Sequence, residues 1–314
     1  MKYSLYLGCV IPNRYPGIEA SARRALSRLA VELLDMDGAS CCPAPGVIRA
    51  FNMDTWLALA ARNLSIAEGL RADVITLCNG CFATLADANH ILKHDPEARE
   101  KVNDKLADVG RSYKGEIEVY HLTEVLYKEI GVEKIKESIE RELPLRVAVH
   151  YGCHLLKPSE TRRWGVVERP TFFEELVEAL GAQSVDYKDK MMCCGAGGAV
   201  RSGFPDVALD FTVEKLENIQ RVGVDAITNA CPFCHLQLDQ GQMEIESRLG
   251  RKFEIPVVYY TQLLGLAQGF TPEELGIYMN KTSPTYLDKL KETWTAGQEV
   301  PAAAGIEDHG SSNW

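Results

Sequence analysis

The chain has 314 residues, 46% of them hydrophobic and 25% charged, which suits two folded domains with buried cores and excludes wholesale disorder. A net charge of −10, with Lys and Arg spread along the chain, argues against nucleic acid as a partner, because that needs a concentrated basic face. No run of about 18 apolar residues occurs, and the opening MKYSLYLGCVIPNRYPG has too short an apolar stretch for an export signal, so a cytoplasmic protein with no membrane partner is expected.

Residues 2–8 alternate in polarity, which predicts a strand running directly into Cys9. Residues 18–34 and 55–70 carry apolar side chains at helical spacing, and residues 72–78 form a compact β-type run ending at Cys78. Residues 95–110 add helical sequence, and residues 119–126 read as a strand passing into a helix. Near Leu143-Pro144 the pattern starts again. Residues 146–152 predict a strand into Cys153, residues 171–180 and 205–221 predict helices, and residues 225–228 end a strand ahead of Cys231. Residues 257–264 repeat the strand-to-helix passage of 119–126, whereas the helical stretch 95–110 has no second copy. From Thr295 the sequence is small and polar, a terminus that needs a partner to hold it. The expected division is an N-terminal domain 1–143, a C-terminal domain 144–294 and a tail 295–314.

Alternation of strands and helices implies an α/β protein with mainly parallel sheets. Such sheets bind ligands at the carboxyl ends of their strands. Cys9, Cys78, Cys153 and Cys231 each follow a strand, so they are expected to gather at one rim.

Ten cysteines in a chain with no export signal sit where structural disulfides are rare. Their order is a single Cys9, the pair Cys41 and Cys42, and Cys78-Asn-Gly-Cys81. The same order returns as Cys153, the pair Cys193 and Cys194, and Cys231-Pro-Phe-Cys234, with none left over. The flanks are duplicated too. Pro43-Ala44-Pro45-Gly46-Val47-Ile48-Arg49 follows the first pair and Gly195-Ala196-Gly197-Gly198-Ala199-Val200-Arg201 the second, with Ala, Gly, an aliphatic residue and Arg at the same offsets. Two similar domains packed face to face about a pseudo-twofold axis are the natural outcome.

Four cysteines satisfy tetrahedral zinc or an ordinary four-iron cubane. Here each half offers five, two of them adjacent. Neighbouring side chains diverge, so an adjacent pair binds different metal atoms, or bridges two, more readily than it chelates one. A larger or opened iron–sulfur cluster fits this better than a single zinc ion, and the ferredoxin run C-x-x-C-x-x-C is absent. A zinc scaffold is the plain structural alternative. A thioredoxin-like role for either C-x-x-C leaves the remaining cysteines unexplained.

The doubled arrangement resembles the cysteine-rich CCG domain, whose name Cys193-Cys194-Gly195 reproduces, from Cys9 to about Leu266. Within that family it is most similar to the B subunits of heterodisulfide reductase from methanogenic archaea. The resemblance implies two tandem Rossmann-like CCG domains and reduction of the mixed disulfide of coenzyme M and coenzyme B. It also implies two non-cubane [4Fe-4S] clusters. One would be held by Cys9, Cys41, Cys42, Cys78 and Cys81, the other by Cys153, Cys193, Cys194, Cys231 and Cys234. The first half departs from the pattern in reading Cys41-Cys42-Pro43, although all five sulfur positions survive. The partners implied are the ferredoxin-like and the flavin-containing subunits of heterodisulfide reductase, with a hydrogenase or formate dehydrogenase further upstream. Related CCG proteins serve hydroxy-acid oxidation and fumarate reduction, and a non-catalytic electron-transfer module is a further alternative.

Cleaving a disulfide takes two electrons, so two facing clusters could each give one and each capture one sulfur. His154, directly after Cys153, belongs to the residue class suited to donating protons near neutral pH. It is the candidate proton donor, with simple packing beside the cluster as the alternative. Arg49 and Arg201 occupy duplicated positions expected at helix N-termini, a match to sulfonate or phosphate groups of the substrate. The alternative is that each pairs with a carboxylate and braces its loop. Lys157 is a further candidate for substrate contact.

Overall fold

The computed structural model describes residues 1–165 and 167–296; the predicted polar tail lies outside the described residues from 297 onward. Two four-stranded sheets, all of whose strands pair in parallel, organise it. The first contains β1 (Lys2–Tyr6), β2 (Glu32–Asp35), β3 (Val74–Thr76) and β4 (Val119–His121) in the order β2-β1-β3-β4. The second contains β5 (Arg146–His150), β6 (Gln183–Ser184), β7 (Ala226–Asn229) and β8 (Val257–Tyr259) in the order β6-β5-β7-β8. The registers correspond as well. Tyr6 pairs with Thr76 and Thr76 with His121, as His150 pairs with Asn229 and Asn229 with Tyr259. Counted from the cysteines, these are the same positions of the two halves.

In each sheet the chain leaves the first strand toward one edge and then returns to build the other side. The strand order therefore reverses between β1 and β3, and between β5 and β7. At such a switch point the connections diverge and leave a crevice beyond the strands' carboxyl ends. Cys9 and Cys78 flank the first crevice, Cys153 and Cys231 the second.

Helices cover the sheets because their apolar stripes have nowhere else to go. Pro16–Arg28, Met53–Leu70, Asn79–His94 and Pro96–Ala107 serve the first half. Phe172–Glu178, Pro205–Val222, Pro232–Leu249 and Tyr260–Ala267 serve the second. Pro96–Ala107 is the helix without a second copy. The helix expected over residues 18–34 is corrected: it stops at Arg28, the chain turns with Ala30 at φ +58°, and residues 32–35 become strand β2. Pairing with β1, from Lys2 opposite Glu32 to Leu5 opposite Asp35, overrides the helical spacing of Leu33 and Leu34.

Both buried apolar clusters draw on the two halves together. One joins Leu5, Ile18 and Leu26 to Val147, Phe173 and Leu263; the other joins Trp56, Leu64 and Phe82 to Leu216, Ile227 and Leu238. Among the described residues no helix is long and apolar enough to cross a membrane.

Candidate metal centre

Each cysteine is placed by a short local device. Cys78 and Cys231 are the N-caps of Asn79–His94 and Pro232–Leu249, which puts Cys81 and Cys234 in the first helical turns. Helix N-termini favour thiolate, the metal-binding form of cysteine. Gly8 and Gly152 hold φ +68° and +75° just ahead of Cys9 and Cys153. A methyl group at Gly8 would lie 2.8 Å from the Cys81 sulfur, and one at Gly152 would lie 3.3 Å from the Cys234 sulfur. These turns must therefore be glycine for two reasons, conformation and room.

None of the ten cysteines is in a disulfide. Within hydrogen-bonding reach the thiols run Cys9–Cys41–Cys42–Cys81–Cys78 in the first half. In the second they run Cys153–Cys193–Cys194–Cys234–Cys231. The two runs meet where Cys78 Sγ and Cys231 Sγ stand 3.8 Å apart. The thiols share protons. Hydrogen bonds from neighbouring thiols hold Cys42, Cys193 and Cys231 low, and Cys81, Cys153 and Cys234 are pushed up in return.

Around this meeting point the contacts are reciprocal. His121 Nε2 donates to the Ala230 carbonyl at 3.1 Å, and Tyr259 Oη donates to the Leu77 carbonyl at 2.5 Å. Each donor ends the last strand of its half, and each acceptor precedes the C-x-x-C of the other half. Gly46 and Gly198, which share an offset from their cysteine pairs, also touch, since a methyl on Gly46 would meet Gly198 Cα at 2.9 Å.

The surroundings of the two sets differ. Beside the second set, His150 has both ring nitrogens buried without a hydrogen-bond partner, and one of them and the sulfurs of Cys194 and Cys234 all lie within 4.8 Å of one another. Burial pulls its pKa down to about 3, helped by Lys215. Lys215 is 1% exposed, and its ammonium donates to the carbonyls of Asp189 and Lys190 at 3.3 and 3.1 Å. Burial pulls it down to about 8 against the attraction of Cys194, Cys234, Cys193 and Cys153. At the equivalent positions the first set has Tyr6 and Asn63. Tyr6 Oη donates to the Ser40 carbonyl and Asn63 Nδ2 to the Cys41 carbonyl.

The duplicated arginines are both engaged with carboxylates. Arg49 lies 3.1 Å from Asp87 and over the Trp56 ring, while Arg201 binds Gln237 at 2.6 Å and pairs with Glu244. Their helices, Ile48–Phe51 and Val200–Gly203, are single turns. Sequence reasoning missed the other partner of Asp87. Arg162, from the second half and buried, binds Asp87 at 2.7 Å and the His154 carbonyl at 3.1 Å, with Nη2 unpartnered. His154 is half-buried, and burial lowers its pKa. Lys157 is exposed and makes no ion pair among the described residues.

The donor set fits iron–sulfur clusters. Ten thiols in two groups of five, with buried unpartnered imidazole nitrogens and an ammonium beside one group, match what cluster iron and cluster sulfide need as ligands and hydrogen-bond donors.

A family model described as cysteine-rich domain matches residues 3–86 and again 147–239. The chain is 56% identical over 279 residues to the B subunit of the ferredoxin:CoB-CoM heterodisulfide reductase of Methanosarcina mazei, covering 89% of this chain and 93% of that one. It belongs to the family of heterodisulfide reductase B subunits. A protein named for a different activity is also similar. The "8-methylmenaquinol:fumarate reductase membrane anchor subunit" of Wolinella succinogenes is 32% identical over 91% of this chain and 99% of its own length. Among solved structures, a hypothetical protein from Helicobacter pylori superposes with a TM-score of 0.69 at 15% identity, over 90% of this chain and 52% of that one, which supports the fold alone.

Proposed function

We propose that this chain is the catalytic subunit that reduces the CoM-S-S-CoB heterodisulfide to the coenzyme M and coenzyme B thiols. The observation that carries this is the meeting of two complete five-cysteine sets at Cys78 and Cys231, next to identity of 56% with a heterodisulfide reductase B subunit. Cys9, Cys41, Cys42, Cys78 and Cys81 hold one non-cubane [4Fe-4S] cluster, and Cys153, Cys193, Cys194, Cys231 and Cys234 hold the other. Bound there, such clusters each supply one electron and an iron site for one substrate sulfur. The chain consumes two electrons and two protons for each disulfide and releases two thiols. Each half is a Rossmann-like domain, 1–143 and 144–294, and the reciprocal His121 and Tyr259 contacts support a pseudo-twofold axis between them.

His154 is the proposed proton donor, and Arg49, Arg201 and Lys157 are the proposed contacts for the anionic arms of the coenzymes. The ferredoxin-like and the flavin-containing subunits of the complex deliver the electrons from a hydrogenase or formate dehydrogenase, in the cytoplasm. A second reading, a cysteine-rich component of a fumarate-reducing complex, is favoured by the 32% identical Wolinella relative, which this chain matches along 99% of that relative's length. Oxidation of reduced viologen by the heterodisulfide, measured beside iron and acid-labile sulfide content, decides between them. Full iron with heterodisulfide-dependent turnover is the expected result. Full iron without it supports the second reading, and absence of iron overturns both.

A further inference from the structure

The two cysteine sets are copies in sequence but not in the charge and hydrogen-bond donors around them. Counted from their cysteines, Lys215 stands at the position where the first half has Asn63, and His150 where it has Tyr6. Gly195 likewise stands where the first half has Pro43. Gly195 holds φ +99°, and its N–H donates to Cys193 Sγ at 3.3 Å. Proline has neither that conformation nor an N–H, so Cys41 has no matching donor from Pro43.

All three differences act in one direction. A buried ammonium stabilises added negative charge through a medium that screens weakly. A backbone N–H aimed at sulfur does the same by hydrogen bonding, and the unpartnered ring nitrogens of buried His150 are free to donate to a group bound beside them. Such donors raise the potential of an iron–sulfur centre. At those two positions the first set has instead a phenol donating away to the Ser40 carbonyl and an amide occupied with Cys41 and Ser40. Its backbone donors, the Cys9, Val10 and Cys42 N–H groups at Cys9 and Cys41, bring no cation with them. Other cations near the rim do not redress the balance. Arg49 and Arg162 share Asp87, Arg201 is paired with Glu244, and Arg62 is partly exposed and bound to the Gly38 carbonyl.

We propose that the two cluster sites are made unequal by their surroundings: the C-terminal site, beside Lys215, His150 and the Gly195 N–H, takes the first electron and holds it in preference to the N-terminal site. One electron leaves a one-electron reductant of the iron–sulfur class and resides at the C-terminal site; the second goes to the N-terminal site, at lower potential. Lys215 is thus a potential-setting residue and not a catalytic one. This rests on the two-cluster reading given above.

The experiment is a reductive titration of the iron-loaded full chain, followed by electron paramagnetic resonance and with iron content measured in every sample. The parent is expected to show two one-electron steps. Lys215→Asn, which installs the residue of the N-terminal site, lowers the upper step and leaves the lower one in place. A tenfold or greater change in how one electron is shared corresponds to at least about 59 mV. Lys215→Arg keeps the charge and keeps the gap. His150→Phe removes a donor without touching Lys215 and lowers the same step, which covers the case in which Lys215→Asn fails to load iron. The proposal is overturned if these variants, with iron intact, move the lower step or neither step. A parent with a single cluster's iron would instead overturn the two-cluster reading itself.

Discussion

Gly8 and Gly152 are as decisive as the cysteines they precede. Each holds left-handed backbone and sits against the far end of its own set, at Cys81 or Cys234. Gly8→Ala is expected to halve the iron per chain, as Cys42→Ala and Cys194→Ala should, because each damages one set and spares the other. A methyl on Gly152 would also strike Asn79 Nδ2, beside Cys78 of the first set, so Gly152→Ala should lower iron in both. Iron analysis checks this, and a cysteine variant that empties both halves would show that the sets load as one unit. His154 sits beside Cys153 and its carbonyl is held by Arg162. His154→Gln is expected to lower turnover on the order of 10²-fold with iron retained. Equal turnover over the whole pH range would reduce His154 to packing. The convergence of the cysteines is legible in the sequence because local spacing and adjacency mark them. Lys215, His150, Asp87 and Arg162 are not, because nothing in the periodicity of a helix or strand announces which side chain of one segment meets a sulfur or a charge many residues away.

Among the elements, those that carry the site are readable and their edges are not. Strands β1, β3, β5 and β7 all lie where alternation or a compact apolar run ends at a cysteine. Strand β2 carries the spacing of a helix, and only its pairing with β1 distinguishes the two. The duplicated passage from last strand to helix is held in both halves by one contact, from the N-cap backbone to the third helical side chain. His121 N–H donates to Glu124 and Tyr259 N–H to Gln262, each at 3.0 Å. His121 does more, since Nε2 donates to Ala230 while Nδ1 accepts from the Thr123 N–H at 3.2 Å, which fixes the neutral Nε2–H tautomer. Burial lowers its pKa from 6.5 to about 4. The folded value lies below the unfolded one, so the unfolded chain binds the proton first. Stability is complete above pH 6.5 and is lost as pH falls from there toward 4. Between about pH 7.5 and about pH 5.5 the parent should lose about 1 kcal/mol more than His121→Gln, read from denaturant midpoints. Parallel curves for the two proteins would mean that His121 is not the group being titrated.

For the whole molecule, the question is what keeps two sheets in one arrangement so that Cys78 and Cys231 stay together. Shared apolar clusters supply most of the cohesion but little direction, because apolar contact is not directional. Direction comes from polar contacts that cross between the halves: Tyr15 Oη to Asp239 at 2.9 Å, the reciprocal His121 and Tyr259 bonds, and above all Arg162 with Asp87. The Arg162 and Asp87 side chains are 1% and 8% exposed, and Asp87 also receives Arg49. Removing one partner of a buried pair strands the other charge, which costs about 3–5 kcal/mol, more than the pair contributes over a well-packed apolar substitute. Asp87→Ala should therefore lower the unfolding free energy by about that amount. Asp87→Leu combined with Arg162→Met should recover a good part of it, since no buried charge is left from the pair. Recovery of stability without recovery of heterodisulfide turnover would assign the pair to alignment of the two sets. A double variant no more stable than Asp87→Ala would show that the penalty arises elsewhere, with Arg49 as the next group to examine.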